Sequence, residues 1–183
     1  MKIHTFISRD TASELVSGLV ADTLSRAIAE RSEAYLAVPG GTTPAPTFER
    51  LAKAPLDWQR VSVSPGDERQ VAPDHPDSNE RLIRTHLFQH RAAAATFRSL
   101  DANCANPPTY DCVWLGMGED GHIASLFPDA EPHEAAFALS GSPPVIEVRT
   151  AASPYVRMSL SLSALLASRR IVLLAYGAAL SEQ

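Results

Sequence analysis

A chain of 183 residues with 16 lysines and arginines against 21 aspartates and glutamates, a formal charge of -5, has room for one domain with a sizeable core. That balance argues against a polybasic surface for nucleic acid or a membrane. Hydrophobic residues make up 45%, charged residues 20% and aromatic residues 7%, as in an ordinary soluble globule and unlike a disordered or fibrous chain. A small anionic ligand stays possible, because a few local donors bind phosphate whatever the overall charge.

Cys104 and Cys112 are too few for a disulfide framework, and neither has a second cysteine or histidine at metal-ligand spacing. A reduced, cytoplasmic protein is the expectation. The opening MKIHTFISRDTASELV has no apolar run ahead of its charges, so it does not read as a signal peptide. No later apolar stretch reaches the roughly 18 residues of a membrane span.

After Asp10, the positions Ala12, Leu15, Val16, Leu19, Val20, Leu24, Ala27 and Ile28 recur at helical spacing and predict a helix to about Arg31. Tyr35-Leu36-Ala37-Val38-Pro39 then reads as a buried strand feeding the tight turn Gly40-Gly41. Thr42 or Thr43 caps a helix with Pro44 in its first turn and Phe48, Leu51 and Ala52 facing inward. A second strand, Val61-Ser62-Val63-Ser64, leads into a polar loop over 65–76. Asp77 as N-cap and Glu80 three residues on form a capping-box pattern, opening a helix along Leu82, Ile83, His86 and Leu87.

A weaker strand at 95–100 and a turn-rich stretch follow. The strand Tyr110-Asp111-Cys112-Val113-Trp114-Leu115 then runs directly into Gly116-Met117-Gly118-Glu119-Asp120-Gly121-His122. Ile123, Leu126 and Phe127 predict a helical turn or two, stopped by Pro128. Strands at 145–149 and 171–176 bracket a helix at 161–168. Short apolar strands separated by helices imply an α/β fold: a three-layer, open, mostly parallel, Rossmann-like sheet with helices on both faces. Such folds bind ligands at the carboxyl ends of their strands.

Three loops fall on that edge. Gly40-Gly41-Thr42-Thr43 is either a simple turn or a phosphate cradle built from close amides and hydroxyls, and it matches neither the P-loop nor the dinucleotide fingerprint. Asp67-Glu68-Arg69 sets an anion-binding cation beside carboxylates, a pattern that surface loops share. In the third loop Gly116, Gly118 and Gly121 permit a close backbone path, and Asp120 and His122 are suited to proton transfer at neutral pH. There, too, a cap at Asp120 and a boundary histidine remain the plain alternative. His4, His75, His86, His90 and His133 have less context, and His122 with His133 lacks the further ligands a metal site needs.

The stretches VPGGTTPAPTFERL, SPGDERQVAPDHPDSNERL and GMGEDGHIASLFP, in this order, resemble the 6-phosphogluconolactonases, within the larger group of sugar-phosphate isomerases and amino-sugar-phosphate deaminases. The likeness runs from the first helix to Gly177. It implies a carboxylic ester hydrolase of the oxidative pentose phosphate pathway, converting 6-phospho-D-glucono-1,5-lactone to 6-phospho-D-gluconate. By resemblance, His122 is the base that activates water, Asp120 its accompanying carboxylate and Asp67 an acidic group that organises the site or assists proton transfer. Gly40, Gly41, Thr42, Thr43 and Arg69 would hold the phosphate, with no metal and no organic cofactor. The expected partner is the small sugar-phosphate lactone alone, with the chain a monomer or small homo-oligomer.

The chemistry agrees: a lactone is an activated ester, so a positioned water, a base and oxyanion donors suffice without a nucleophile elbow, and no G-x-S-x-G occurs. Relatives carry a lysine shortly after the glycine matching Gly177, where this chain has Leu180. Arg157 is the expected compensating cation, or else a solvent-facing arginine at an element edge. The chain, read as one domain over 1–183, is expected to lack the usual C-terminal helix and strand and so to expose a sheet edge. A glucosamine-6-phosphate deaminase-like enzyme and an inactive sugar-phosphate-binding homologue are the alternative readings.

Overall fold

The computed structural model describes residues 2–100, 108–151 and 153–176. In chain order the strands are β1 (Ala34–Val38), β2 (Val61–Pro65), β3 (Asp67–Arg69), β4 (Thr96–Phe97), β5 (Cys112–Gly116), β6 (Val145–Val148), β7 (Arg157–Leu160) and β8 (Ile171–Leu174). The helices are α1 (Arg9–Arg31), α2 (Ala45–Leu51), α3 (Asn79–His86), α4 (His133–Phe137) and α5 (Leu162–Leu166).

The periodic stripe of α1 is the one that is buried: Ala12, Val16, Val20, Leu24 and Ala27 are covered, with Ser8 Oγ accepting from Thr11 N at the start. That face packs on a five-stranded parallel sheet of order β4-β2-β1-β5-β8. Leu24, Leu36, Phe48, Trp58 and Trp114 form the core on this side, together with α2 and α3. On the other face Ala37, Val113 and Leu115 pack against Phe127, Val148, Leu160 and Leu165. The α/β architecture is as expected, with one addition. A second, antiparallel sheet of order β3-β7-β6 covers this second face with α4 and α5.

The chain passes between the sheets at Gly66, whose N–H donates to Val38 O at 2.7 Å while its carbonyl accepts from Leu160 N at 3.0 Å. The expected polar loop over 65–76 therefore contains a strand, β3, whose charged residues show no apolar alternation and which pairs only because β7 lies alongside. Sheet order reverses between β1 and β5, and the loops after those two strands flank the crevice that such a reversal opens.

Three local expectations are corrected. Neither Thr42 nor Thr43 caps α2; Pro44 is the N-cap residue and no side chain caps the helix. For α3 the cap is Ser78, one residue past Asp77, with Ser78 Oγ accepting from Arg81 N at 3.2 Å. Glu80 turns to Arg84 at 2.8 Å, and the free amides of Asn79 and Glu80 are taken instead by Glu68 of β3, at 2.8 and 2.7 Å. Glu68→Ala strips two charge-assisted bonds from this helix start, so urea unfolding should show a loss of about 2 kcal/mol. Finally, Ile123–Leu126 is a turn closed by an isolated bridge, with Ala124 at φ 49°, and not a helix. Ser125 holds it open, bonding through its N–H to Ser159 Oγ and through its hydroxyl to Asp67.

Edge strand β8 leaves Ile171 and Leu173 exposed. Cys112 is a free buried thiol, its pKa pushed up to about 12 by burial; Cys104, Gly177 and Leu180 lie outside the described residues. No helix among the described residues is long and apolar enough to cross a membrane.

Candidate active site

The crevice at the carboxyl edge of the parallel sheet is a cleft of about 540 Å³. Gly40, Gly41 and Thr43 line it from the loop after β1, Asp67 and Arg69 from β3, Asp120 and His122 from the loop after β5, and Arg157 from β7. Of the residues expected at the site, only Thr42 is missing from its walls.

The loop after β5 is shaped by two glycines. Gly121 has φ +83°, a conformation L side chains rarely adopt, and its N–H donates to Gly118 O at 3.0 Å. Gly118 N in turn donates to His122 O at 3.0 Å, and a Cβ on Gly118 would overlap the His122 ring. The imidazole is thus folded back over its own loop. Its Nδ1 lies 2.5 Å from Asp120 Oδ1, and its ring stacks on Phe127 with centroids 4.0 Å apart and planes at 26°. The hydrogen bond from His122 holds the Asp120 carboxyl below its ordinary pKa, so it stays an acceptor through the neutral range. An ionised Asp120 fixes the tautomer with the proton on Nδ1, leaving Nε2 as the base. Gly118→Ala should displace the ring and lower turnover about tenfold or more, with the unfolding midpoint close to that of the parent protein.

Asp67 anchors the neighbouring wall. Its Oδ2 accepts from Ser125 Oγ at 2.5 Å and from Arg157 Nη1 at 3.0 Å, and the two charged side chains are 8% and 12% exposed. Burial pulls the Arg157 guanidinium below its ordinary pKa, with Asp67 opposing the shift. Arg157 also donates from Nε to Ser153 Oγ at 3.1 Å and lies 5.3 Å from the Phe127 ring centre. Phe127 therefore touches both the imidazole and this guanidinium. The structure ties Arg157 to Asp67 on the His122 side of the cleft.

Arg69 is less committed. Its Nη1 donates to Asp77 O and Asn79 Oδ1, both at 3.0 Å, while its buried Nε meets no acceptor among the described residues. Asn79 is the hub here: Nδ2 donates to Asp67 O at 2.6 Å, and its amide packs so closely on Gly40 that a Cβ there would overlap it. It ties the loop after β1 to β3. Asn79, Ser125 and Phe127 stand within the motif stretches, yet nothing in residue type or spacing marks these roles, which depend on contacts between distant segments. Arg9 and Tyr176, which also line the cleft, stand outside every motif.

A second depression, of about 730 Å³, lies along β6 and carries Glu131, Glu147 and Arg149. Arg149 is already paired to Glu147 at 2.9 Å, so this depression offers no uncommitted cation. Among the described residues no group of three or more His, Cys, Asp and Glu side chains is placed to hold a metal ion.

The family model for glucosamine-6-phosphate isomerases/6-phosphogluconolactonase matches residues 8–182. A 6-phosphogluconolactonase of Pseudomonas putida is 35% identical over 97% of this chain and 79% of its own length. One of Pseudomonas aeruginosa is 37% identical over 90% of this chain and 76% of its own length. The crystal structure of a 6-phosphogluconolactonase from Shewanella baltica is 35% identical and superposes with a TM-score of 0.89, over 96% of this chain and 82% of that one.

Proposed function

Because the chain belongs to the glucosamine-6-phosphate isomerase/6-phosphogluconolactonase family, we propose that it hydrolyses 6-phospho-D-glucono-1,5-lactone to 6-phospho-D-gluconate, with residues 1–183 acting as one lactonase domain. At the level of the family the activity is that of a 6-phosphogluconolactonase-type hydrolase. The Asp120–His122 pair, set in the cleft at the sheet reversal, carries the finer assignment.

Water attacks the lactone carbonyl as His122 Nε2 takes its proton, giving a tetrahedral oxyanion. The oxyanion collapses by breaking the bond from the carbonyl carbon to the ring oxygen. The imidazolium returns the proton to that leaving oxygen, which becomes a hydroxyl, and the acid formed ionises. Asp120 steadies the imidazolium and keeps Nε2 as the reacting nitrogen. Arg157, pinned by Asp67, supplies positive charge near the developing oxyanion. The phosphate is held away from this chemistry by the amides of the Gly40–Thr43 loop and by Arg69, whose guanidinium has no carboxylate within ion-pair distance among the described residues.

A paired assay separates this reading from the deaminase alternative. The same preparation is given fresh 6-phosphogluconolactone and, separately, glucosamine-6-phosphate. Acid release from the lactone above the spontaneous rate, with no ammonia from the amino sugar, is the expected outcome. Ammonia release without lactone hydrolysis would assign the deaminase reaction instead.

A further inference from the structure

We propose that Arg9, in the first turn of α1, is a phosphate-recognition residue of the cleft and that Tyr176 holds it in place; this rests on the sugar-phosphate reading above. Arg9 and Tyr176 both line the cleft, and the guanidinium carbon of Arg9 lies 4.9 Å from the centre of the Tyr176 ring. A guanidinium over an aromatic face is oriented without being neutralised. Among the described residues no carboxylate lies within ion-pair distance of it, and its neighbour Asp10 is turned away to Arg50. Arg157, by contrast, is charge-compensated by Asp67.

Position in the cleft decides which part of a ligand Arg9 meets. α1 and α2 pack on the same face of the parallel sheet, sharing the core of Leu24, Phe48 and Trp114, and the Gly40–Thr43 loop leads into α2. Val172 and Leu174 of β8 also pack against that core, and Tyr176 follows two residues past the end of β8. His122, stacked on Phe127, belongs to the opposite side, with the second core. Arg9 therefore faces the end of the cleft that holds the phosphate loop, remote from the carbonyl chemistry. An anion with several acceptor oxygens suits a guanidinium that no carboxylate of the described residues neutralises.

Recognition of this kind contributes equally to the ground and transition states, so its loss should appear in KM and in product affinity and leave kcat alone. In Arg9→Gln, KM for 6-phosphogluconolactone should rise about tenfold or more with kcat within about twofold, and calorimetric affinity for 6-phosphogluconate should fall by a similar factor. Arg9→Lys should recover part of the loss. Tyr176→Phe, which keeps the ring, should match the parent, whereas Tyr176→Leu should weaken binding by a smaller factor than Arg9→Gln. Turnover of unphosphorylated glucono-1,5-lactone should be the same in all variants.

Affinity for 6-phosphogluconate and KM unchanged in Arg9→Gln would overturn the assignment while leaving lactone hydrolysis intact. An equal loss on the unphosphorylated lactone would also overturn it, since the effect would then not be phosphate recognition. If the parent protein binds 6-phosphogluconate but turns over no lactone, the hydrolytic reading fails alone and the titrations still decide the role of Arg9. If the parent binds no 6-phosphogluconate, both fall.

Discussion

Replacing His122 with alanine should lower kcat on 6-phosphogluconolactone by on the order of 10²–10⁴-fold with KM little changed, the range a positioned general base supplies. The ring contributes little to the core: its side chain is 26% exposed, and it rests on Phe127 from the cleft side. Thermal unfolding of His122→Ala should therefore stay close to the parent, which separates lost chemistry from lost fold. Asp120→Asn should act in the same direction, because an amide offers both a donor and an acceptor and no longer selects the tautomer. The sign of the pH effect follows from the lowered Asp120 pKa. The carboxylate's hold on the ring is present above the ordinary carboxylate range and is lost as pH falls through the lowered value. A variant that kept full turnover without the imidazole would remove His122 from the mechanism.

The second large effect falls on stability. Arg157→Leu takes the cation from a pair whose side chains are only 12% and 8% exposed and leaves Asp67 buried with Ser125 and Asn79 as its remaining side-chain partners. Stranding a buried charge in this way costs about 3 kcal/mol or more, read as a drop in the urea midpoint at unchanged slope. Adding Asp67→Asn to Arg157→Leu should recover part of that loss, since the uncompensated charge is gone. A double variant as unstable as the sum of the singles would show that the two side chains are not coupled. Turnover should fall in each of these variants, because Arg157 and Phe127 form one packed unit beneath the imidazole.

The sequence makes legible what has a local physical cause. The stripe of α1 and the apolar runs of β1, β2, β5 and β8 are short-range signals of periodicity and burial, and each element lies within a residue or two of its expected place. The Gly118–Asp120–Gly121–His122 loop was legible for the same reason, since its closure uses only its own backbone. What escaped depends on partners distant in sequence. β3 is a strand because β7 runs beside it, and α3 starts at Asn79, capped by Ser78, because Glu68 reaches across to its first amides. The turn at Ile123–Leu126 resists the helix its spacing suggests because Ser125 is bonded to Asp67 and Ser159. Arg157 pairs with Asp67, far from it in the chain, and residue type alone does not signal that contact. No feature of the sequence brings Arg9 and Tyr176, far apart in the chain, to one wall of the cleft.

The most direct measurement of the central claim is the rate of 6-phosphogluconate formation from freshly generated 6-phosphogluconolactone, with spontaneous ring opening subtracted and His122→Ala run beside the parent. The parent should accelerate hydrolysis in proportion to enzyme concentration, and His122→Ala should fall to near the spontaneous rate. Hydrolysis by the parent no faster than in buffer, or equal acceleration by both proteins, would contradict the account.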